Sequence, residues 1–263
     1  MRPTDQQTIL ITGATDGLGR ALAADLAAEG ATVLVHGRDD QRGKAALQEI
    51  GGAASWYRAD LASLAETRAL AEAVRADHPR LDALVNNAGI GNDGPRRESA
   101  DGHELTFQVN YLSGYLLTRL LLPTLVASAP ARIVHVSSIG QQAIDFDDVM
   151  ITREYDGMRA YRQSKLAQMM FTVDLADELA GTGVTANALH PATYMPTKMV
   201  TATPLSTLEE GVQATRRLVT DPDLDGVSGR FFNGLQEARA EAQAHDPEAR
   251  ARLRALSDEL TTP

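Results

Sequence analysis

The chain has 263 residues, a formal net charge of −10 and no cysteine. That length suits one sizeable core without requiring a second domain. The negative charge disfavours a nucleic-acid partner, because phosphate binding needs a basic surface, and the missing thiols exclude disulfides, thiol catalysis and thiolate zinc sites.

From the N-terminus, Met1 to Thr8 lacks the basic stretch and apolar run of a secretory signal. Thr8 to Thr12 reads as a short buried strand running into a Gly-rich turn, and Leu18 to Glu29 as an Ala/Leu helix ending at Gly30. The strand Thr32–His36 and the helix Asp40–Ile50 follow. Further strands are predicted over Ser55–Ala59, Asp82–Asn86, Arg132–Ser137 and Val184–Leu189, with helices over Ala62–Arg75, His103–Ala127 and Gln163–Ala180. The tail, Gln236 to Leu260, reads as one or two surface helices, with Pro247 starting the second. Strands alternating with helices of this length imply βαβ units. Their continuous Val/Ile/Leu runs suit a parallel sheet covered on both faces. The expected fold is therefore a single doubly wound, mostly parallel α/β domain of Rossmann type.

The richest apolar run, Tyr111 to Leu122, contains Arg119 and is too short to span a bilayer. A cytoplasmic protein without a membrane partner is the expectation. The six histidines, His36, His78, His103, His135, His190 and His245, show no paired ligand spacing, so no metal site is expected.

Thr12-Gly13-Ala14-Thr15-Asp16-Gly17-Leu18-Gly19 joins a predicted strand to a predicted helix. In that context Gly13 can take the tight turn, Gly17 can let backbone approach a pyrophosphate, and Gly19 can allow close helix–strand packing. The helix N-terminus offers N–H donors and a partial positive charge to phosphates.

The spacing Gly-x-x-x-Gly-x-Gly resembles that of the short-chain dehydrogenase/reductase family. Asp60-Leu61 after the third strand, Asn86-Asn87-Ala88-Gly89 after the fourth, Asn110 in the long helix, Ser137-Ser138 after the fifth strand and Tyr161-Arg-Gln-Ser-Lys165 extend the resemblance in order and spacing. Ala160 to Thr172 and the tail are similar to the retinol-dehydrogenase-like branch. The resemblance implies Asn110, Ser138, Tyr161 and Lys165 as the catalytic set. Ser138 would donate to the substrate oxygen, Asn110 would hold a water in a proton relay, and Lys165 would also bind the nicotinamide ribose. It implies cofactor contacts from Gly13, Asp16, Gly17, Leu18, Gly19, Asp60, Leu61, Asn87, Gly89, Tyr161, Lys165, Pro191 and Thr193. A homodimer or homotetramer through the helices at 103–127 and 160–181 is implied as well.

NAD binders place a carboxylate near the end of the second strand for the ribose 2′-hydroxyl. This chain has Gly37 there, followed by Arg38, whose rigid fork can pair with a 2′-phosphate; Asp39 could serve a 2′-hydroxyl. NADP(H) is the expected cofactor, ahead of NAD(H). Tyr161 and Lys165 are four apart on a predicted helix and so share a face. An ammonium one turn away should favour tyrosinate and lower the phenol's pKa. The chain has three lysines against twenty-two arginines, so a retained Lys165 points to a need for an ammonium.

Three regions depart from a minimal family member. The segment between Ser138 and Tyr161 is long and holds Phe146, Asp147, Asp148, Ile151 and Tyr155 as candidate substrate neighbours. Pro191 is followed by Ala192 where the family has Gly. The loop at about 192–212 offers Tyr194, Met195 and Met199 as candidate pocket residues. The expected activity is hydride transfer between a carbonyl and an alcohol on a small to medium apolar molecule. The alternatives are a non-redox cyclase, dehydratase or epimerase on the same fold, or a dinucleotide-sensing binding protein.

Overall fold

A computed structural model describes residues 1–91, 94–197 and 203–262. An eight-stranded sheet runs through it in the order β3-β2-β1-β4-β5-β6-β7-β8. In chain order the elements begin with β1 (Thr8–Ile11), α1 (Gly17–Ala28), β2 (Thr32–Gly37), α2 (Asp40–Ile50), β3 (Ala54–Arg58), α3 (Leu64–Asp77) and β4 (Ala83–Asn86). They continue with α4 (Leu105–Phe107), a π-helical turn (Gln108–Leu112), α5 (Ser113–Ala127), β5 (Ala131–Val136), α6 (Gly157–Glu178) and β6 (Val184–His190). The chain closes with α7 (Leu208–Thr220), β7 (Phe231–Asn233), β8 (Gln236–Ala238) and α8 (Pro247–Thr261). All strand pairs are parallel except β7 with β8.

Alternation along the strands explains the two covered faces. Leu10 and Leu34 point into the core beneath α3, α5 and α6. Ile9, Ile11, Val33 and Val35 point into the core beneath α1, α2 and α7. Each such fully buried side chain contributes about 1.5–3 kcal/mol, which is why nearly every strand position is apolar.

The expected long helix at 103–127 is present but broken. Its middle turn is π-helical, with the Ser113 N–H reaching the Gln108 carbonyl. The helix carrying Tyr161 begins at Gly157, capped by the Asp156 side chain, earlier than the expected Gln163. The tail corrects the sequence expectation in its first half. Positive φ at Gly234 reverses the chain after β7, so Gln236 opens an antiparallel strand and not a helix. Pro247 does start the last helix, capped by Asp246.

Helix α8 lies on the face of α5 and α6 anticipated for subunit packing. Tyr111 Oη is 2.7 Å from Ser257 Oγ, Tyr115 Oη donates to Asp258 at 2.6 Å, and Arg250 and Arg254 both bind Asp174, at 2.9 and 3.0 Å. The chain's own tail covers this part of the face. Among the described residues no helix is long and apolar enough to cross a membrane, and no cluster of metal-ligating side chains occurs.

Candidate active site

The strand order reverses between β1 and β4, and the crevice at the carboxyl ends beside such a switch is where open α/β sheets take ligands. Four carboxyl ends meet there: β1 at Thr12, β4 at Asn87, β5 at Ser138 and β6 at Pro191. Thr12 ties the first two together. Its hydroxyl accepts from the N–H groups of Asn87 and Ala88, both at 3.0 Å. Asn87 returns a bond from its amide to the Thr12 carbonyl at 2.8 Å. The Asn87 amide therefore shapes the turn from behind, while Gly89 leads into the loop held by Asn110.

Gly13 and Gly17 have φ of +67° and +50°, which L side chains resist. A Cβ at Gly13 would meet Ala88 Cα at 2.9 Å, and one at Gly19 would meet the Gly13 carbonyl at 2.5 Å. Asp16 caps α1, accepting from the Gly17 N–H at 2.8 Å, and its other oxygen binds Arg42 at 2.7 Å. Leu18 is buried and packs the helix onto the sheet. His36, which the sequence singled out only as a non-ligand, holds the turn. Its Nε2 faces the Ala59 carbonyl at 3.1 Å and so carries the proton, leaving Nδ1 to accept from the Gly13 N–H at 3.2 Å. Burial lowers its pKa to about 4, so the ring is neutral in this role.

At the end of β2, a Cβ on Gly37 would lie 2.7 Å from the Thr15 methyl and 3.0 Å from the Trp56 ring. Arg38 is exposed. Asp39 accepts from the Arg42 N–H as the cap of α2. Asp60 accepts from the Ala62 N–H at 3.0 Å in the turn after β3, with Leu61 buried beside it.

The catalytic candidates come together across β5, α6 and the π turn. The two serines separate cleanly. Ser137 is buried and donates to the Lys165 carbonyl at 2.8 Å, anchoring α6. Ser138 accepts from the Gly140 N–H at 3.0 Å and lies close enough to the Tyr161 phenol to favour its ionised form. Lys165 is buried, donates to the Val136 carbonyl at 2.9 Å and to Gln168 Oε1 at 3.2 Å, and sits 5.5 Å from the Tyr161 ring centroid. Burial lowers Lys165 to about 7. Tyr161 is pushed up by burial, with Ser138 opposing. This reverses the sequence expectation, because desolvation of the phenol outweighs an ammonium that is turned toward β5. Asn110 is buried; its side chain accepts from the Ile90 N–H at 2.7 Å and donates to the Ile90 carbonyl and Ser164 Oγ, both at 3.0 Å. Its main-chain carbonyl accepts from Gln168 at 2.8 Å.

The remaining candidates disperse. Tyr155 donates to the buried Glu104 at 3.0 Å, Ile151 is fully buried, and Phe146 lies under the Arg252 guanidinium at 4.6 Å. Asp148 binds Thr152 and Arg153, and the Thr152 N–H leads the bonds that lower it to about 2. Asp147 is paired at 3.9 Å with Arg252. This segment is a strut between the 96–108 region and α8. Ala192 keeps ordinary backbone; the positive φ of the loop falls on Tyr194, at 49°, which is exposed. Met195 packs against Gly211 of α7, and Met199 lies outside the described residues. Thr193 meets His190 Nε2 at 3.0 Å. Thr197, which the sequence reading passed over, lies where a Cβ on Gly17 would meet its methyl at 3.1 Å. Its threonine signal is weak because the loop has no periodic pattern.

The short chain dehydrogenase family model matches residues 7–206. Human retinol dehydrogenase 13 is 37% identical, over 97% of this chain and 84% of that protein. A solved structure of an uncharacterised protein from Mycobacterium paratuberculosis superposes with a TM-score of 0.81 at 32% identity, covering 97% of this chain and 93% of that one. The 3-ketoacyl-(acyl-carrier-protein) reductase of Brucella melitensis, complexed with NADH, gives 0.73 at 26% identity, covering 88% and 97%. A short chain dehydrogenase of Shigella flexneri, complexed with NADP, gives 0.71 at 28% identity, covering 88% and 98%. The chain belongs to the short-chain dehydrogenase/reductase family, in its retinol-dehydrogenase-like branch, and is an oxidoreductase.

Proposed function

We propose that this chain is an NADP(H)-dependent oxidoreductase that reduces a carbonyl on a small to medium apolar molecule, with Tyr161 as general acid. One observation carries the reading: Ser138 and Tyr161 face one another beside buried Lys165, in the crevice headed by the glycine turn.

The residues present fit a nicotinamide dinucleotide. The left-handed Gly13 and Gly17 at the N-terminus of α1 form a cradle that Cβ atoms would fill. Leu18, Gly19, Asn87, Gly89, Pro191 and Thr193 would complete it. When bound, that cofactor supplies the hydride. The chain's own residues supply the rest. Ser138 holds the substrate oxygen next to the phenol. Tyr161, raised by burial, keeps its proton at neutral pH and gives it to the oxygen as charge develops there. Lys165, protonated in part near pH 7, favours the tyrosinate that remains.

Three features favour the 2′-phosphate form. Gly37 has no room for an acidic side chain, Asp39 is engaged as a helix cap, and Arg38 and Arg42 are two guanidiniums beside that position. The apolar substrate class is supported by the exposed Ile139 next to Ser138 and by exposed Tyr194 and Leu205 on the 192–212 loop. The test is to incubate the protein with NADPH or NADH and a panel of apolar aldehydes and ketones. Loss of reduced-nicotinamide absorbance that depends on carbonyl and is faster with NADPH is expected. Turnover of the carbonyl without cofactor oxidation would point to a non-redox enzyme instead.

A further inference from the structure

Helix α6 carries a fourth polar residue on the catalytic face. Gln168 follows Lys165 by three positions, is 4% exposed, and touches two members of the candidate set at once. Its Oε1 accepts from Lys165 Nζ at 3.2 Å, and its Nε2 donates to the Asn110 main-chain carbonyl at 2.8 Å. The chemistry fixes which way the amide points. An ammonium can only donate and a carbonyl can only accept, so the oxygen must face Lys165 and the nitrogen must face Asn110. The Gln168 main-chain carbonyl accepts from the Thr172 hydroxyl at 2.7 Å, as in an ordinary i to i+4 helix contact. Thr172 in turn meets His135 Nδ1 at 2.8 Å. The Gln168 side chain is gripped at both ends by Lys165 and Asn110, with both polar atoms satisfied in a buried setting.

The resemblance implies a relay water held by Asn110, and the Gln168 amide joins the Asn110 main-chain carbonyl to the ammonium.

We propose that Gln168 is a positioning residue that clamps the Lys165 ammonium between β5 and the π turn of Asn110. Its oxygen is an acceptor for the charged form of Lys165 and no partner for a neutral amine's lone pair. Gln168 thus holds Lys165 in place and also favours its protonation, against the burial that disfavours it. The titratable groups facing Lys165 are Tyr161 on its own helix, His135 on β5 and His190 on β6; both histidines are lowered in part by the Lys165 charge. None of them is an anion at neutral pH, so among the described residues the Gln168 oxygen and the Val136 carbonyl are the ammonium's acceptors. The assignment rests on the reading of Tyr161 and Lys165 as the working pair.

The chain's composition makes a direct test practical. With three lysines, a protein labelled with carbon-13 at lysine Cε gives three signals to titrate, and Lys165→Met identifies the one of interest. Gln168→Leu removes the acceptor and should lower the Lys165 pKa by at least about half a unit, while the near-isosteric Gln168→Glu supplies a carboxylate and should raise it by about one unit or more. The limb of the turnover–pH profile should move with these variants, and cofactor KM should change by less than about threefold. A merely structural role would not move one titration in opposite directions. Lys165 titration unchanged in both variants would overturn the clamp. The titration is read without turnover, so a failure of the Tyr161 assignment leaves this result separately legible.

Discussion

Lys165 and Tyr161 share one face of α6, but the ammonium is turned toward the Val136 carbonyl and stands 5.5 Å from the centre of the phenol ring. The contact between them is that of a cation over the ring, while the hydroxyl itself faces Ser138. This division explains why the phenol holds its proton. Ser138 stabilises the tyrosinate, burial opposes it, and the ammonium is shared with β5 and Gln168.

Cofactor choice follows from β2 and the start of α2. An Arg–phosphate contact is worth about 1.5–3 kcal/mol, or roughly tenfold to a hundredfold in affinity. Arg38→Ala should weaken NADPH by that factor and leave NADH nearly unchanged. Arg42→Ala should do the same more weakly, because it also releases Asp16. Fluorescence titrations with both cofactors check this, and equal affinity of the unmutated protein for NADPH and NADH would contradict it.

Acid should destabilise the fold earlier than carboxylates alone would. His36 and His135 are buried, and burial lowers both to about 4. The unfolded chain binds their protons from its ordinary histidine pKa near ~6.5, so it takes up more protons than the native state between about pH 6.5 and 4. Their contribution is fully present above that window and is lost as pH falls through it, by about 3 kcal/mol each at most. Urea unfolding between pH 7 and 4.5 should show the loss, and His36→Asn with His135→Asn should flatten it. An unchanged slope in the double variant would show that other groups govern acid unfolding.

Substrate preference separates two tyrosines. Tyr155 donates to the buried Glu104, so Tyr155→Phe should cost about 1–3 kcal/mol of stability and leave selectivity alone. Tyr194 is exposed on the 192–212 loop, with a φ that costs about 1–3 kcal/mol to hold, a sign of a constrained functional position. Tyr194→Ala should change the ratio of kcat/KM between a bulky and a small carbonyl by about tenfold at constant thermal midpoint. A selectivity change in Tyr155→Phe and none in Tyr194→Ala would reverse the assignment.

Much of the fold was readable because its signals are local. The β1 and β2 runs are continuous because both faces are buried, and the glycine turn follows from spacing. Helix α7 carried a capping box, Thr207 with Glu210, yet its flank is a loop without periodicity and the helix was not anticipated. Strands β7 and β8 are three residues each, too short for alternation to register. The candidate catalytic set followed from order and spacing, but what each side chain touches did not. Ser137 against Ser138, His36 under the turn, Gln168 against Asn110, and the retreat of Phe146 and Tyr155 from the site all depend on contacts between residues 23 to 106 positions apart in the chain, which no local pattern encodes.

The central claim is that Tyr161 is the proton donor in hydride transfer. Tyr161→Phe removes one hydroxyl and keeps the ring, so folding and NADPH binding should persist. The direct measurement is single-turnover NADPH oxidation by this variant with an active carbonyl, alongside a fluorescence titration of NADPH. General acid catalysis typically contributes about 10²–10⁴ in rate, so the account predicts a fall of at least roughly a hundredfold at unchanged cofactor affinity. Near-normal single-turnover NADPH oxidation by Tyr161→Phe would contradict it.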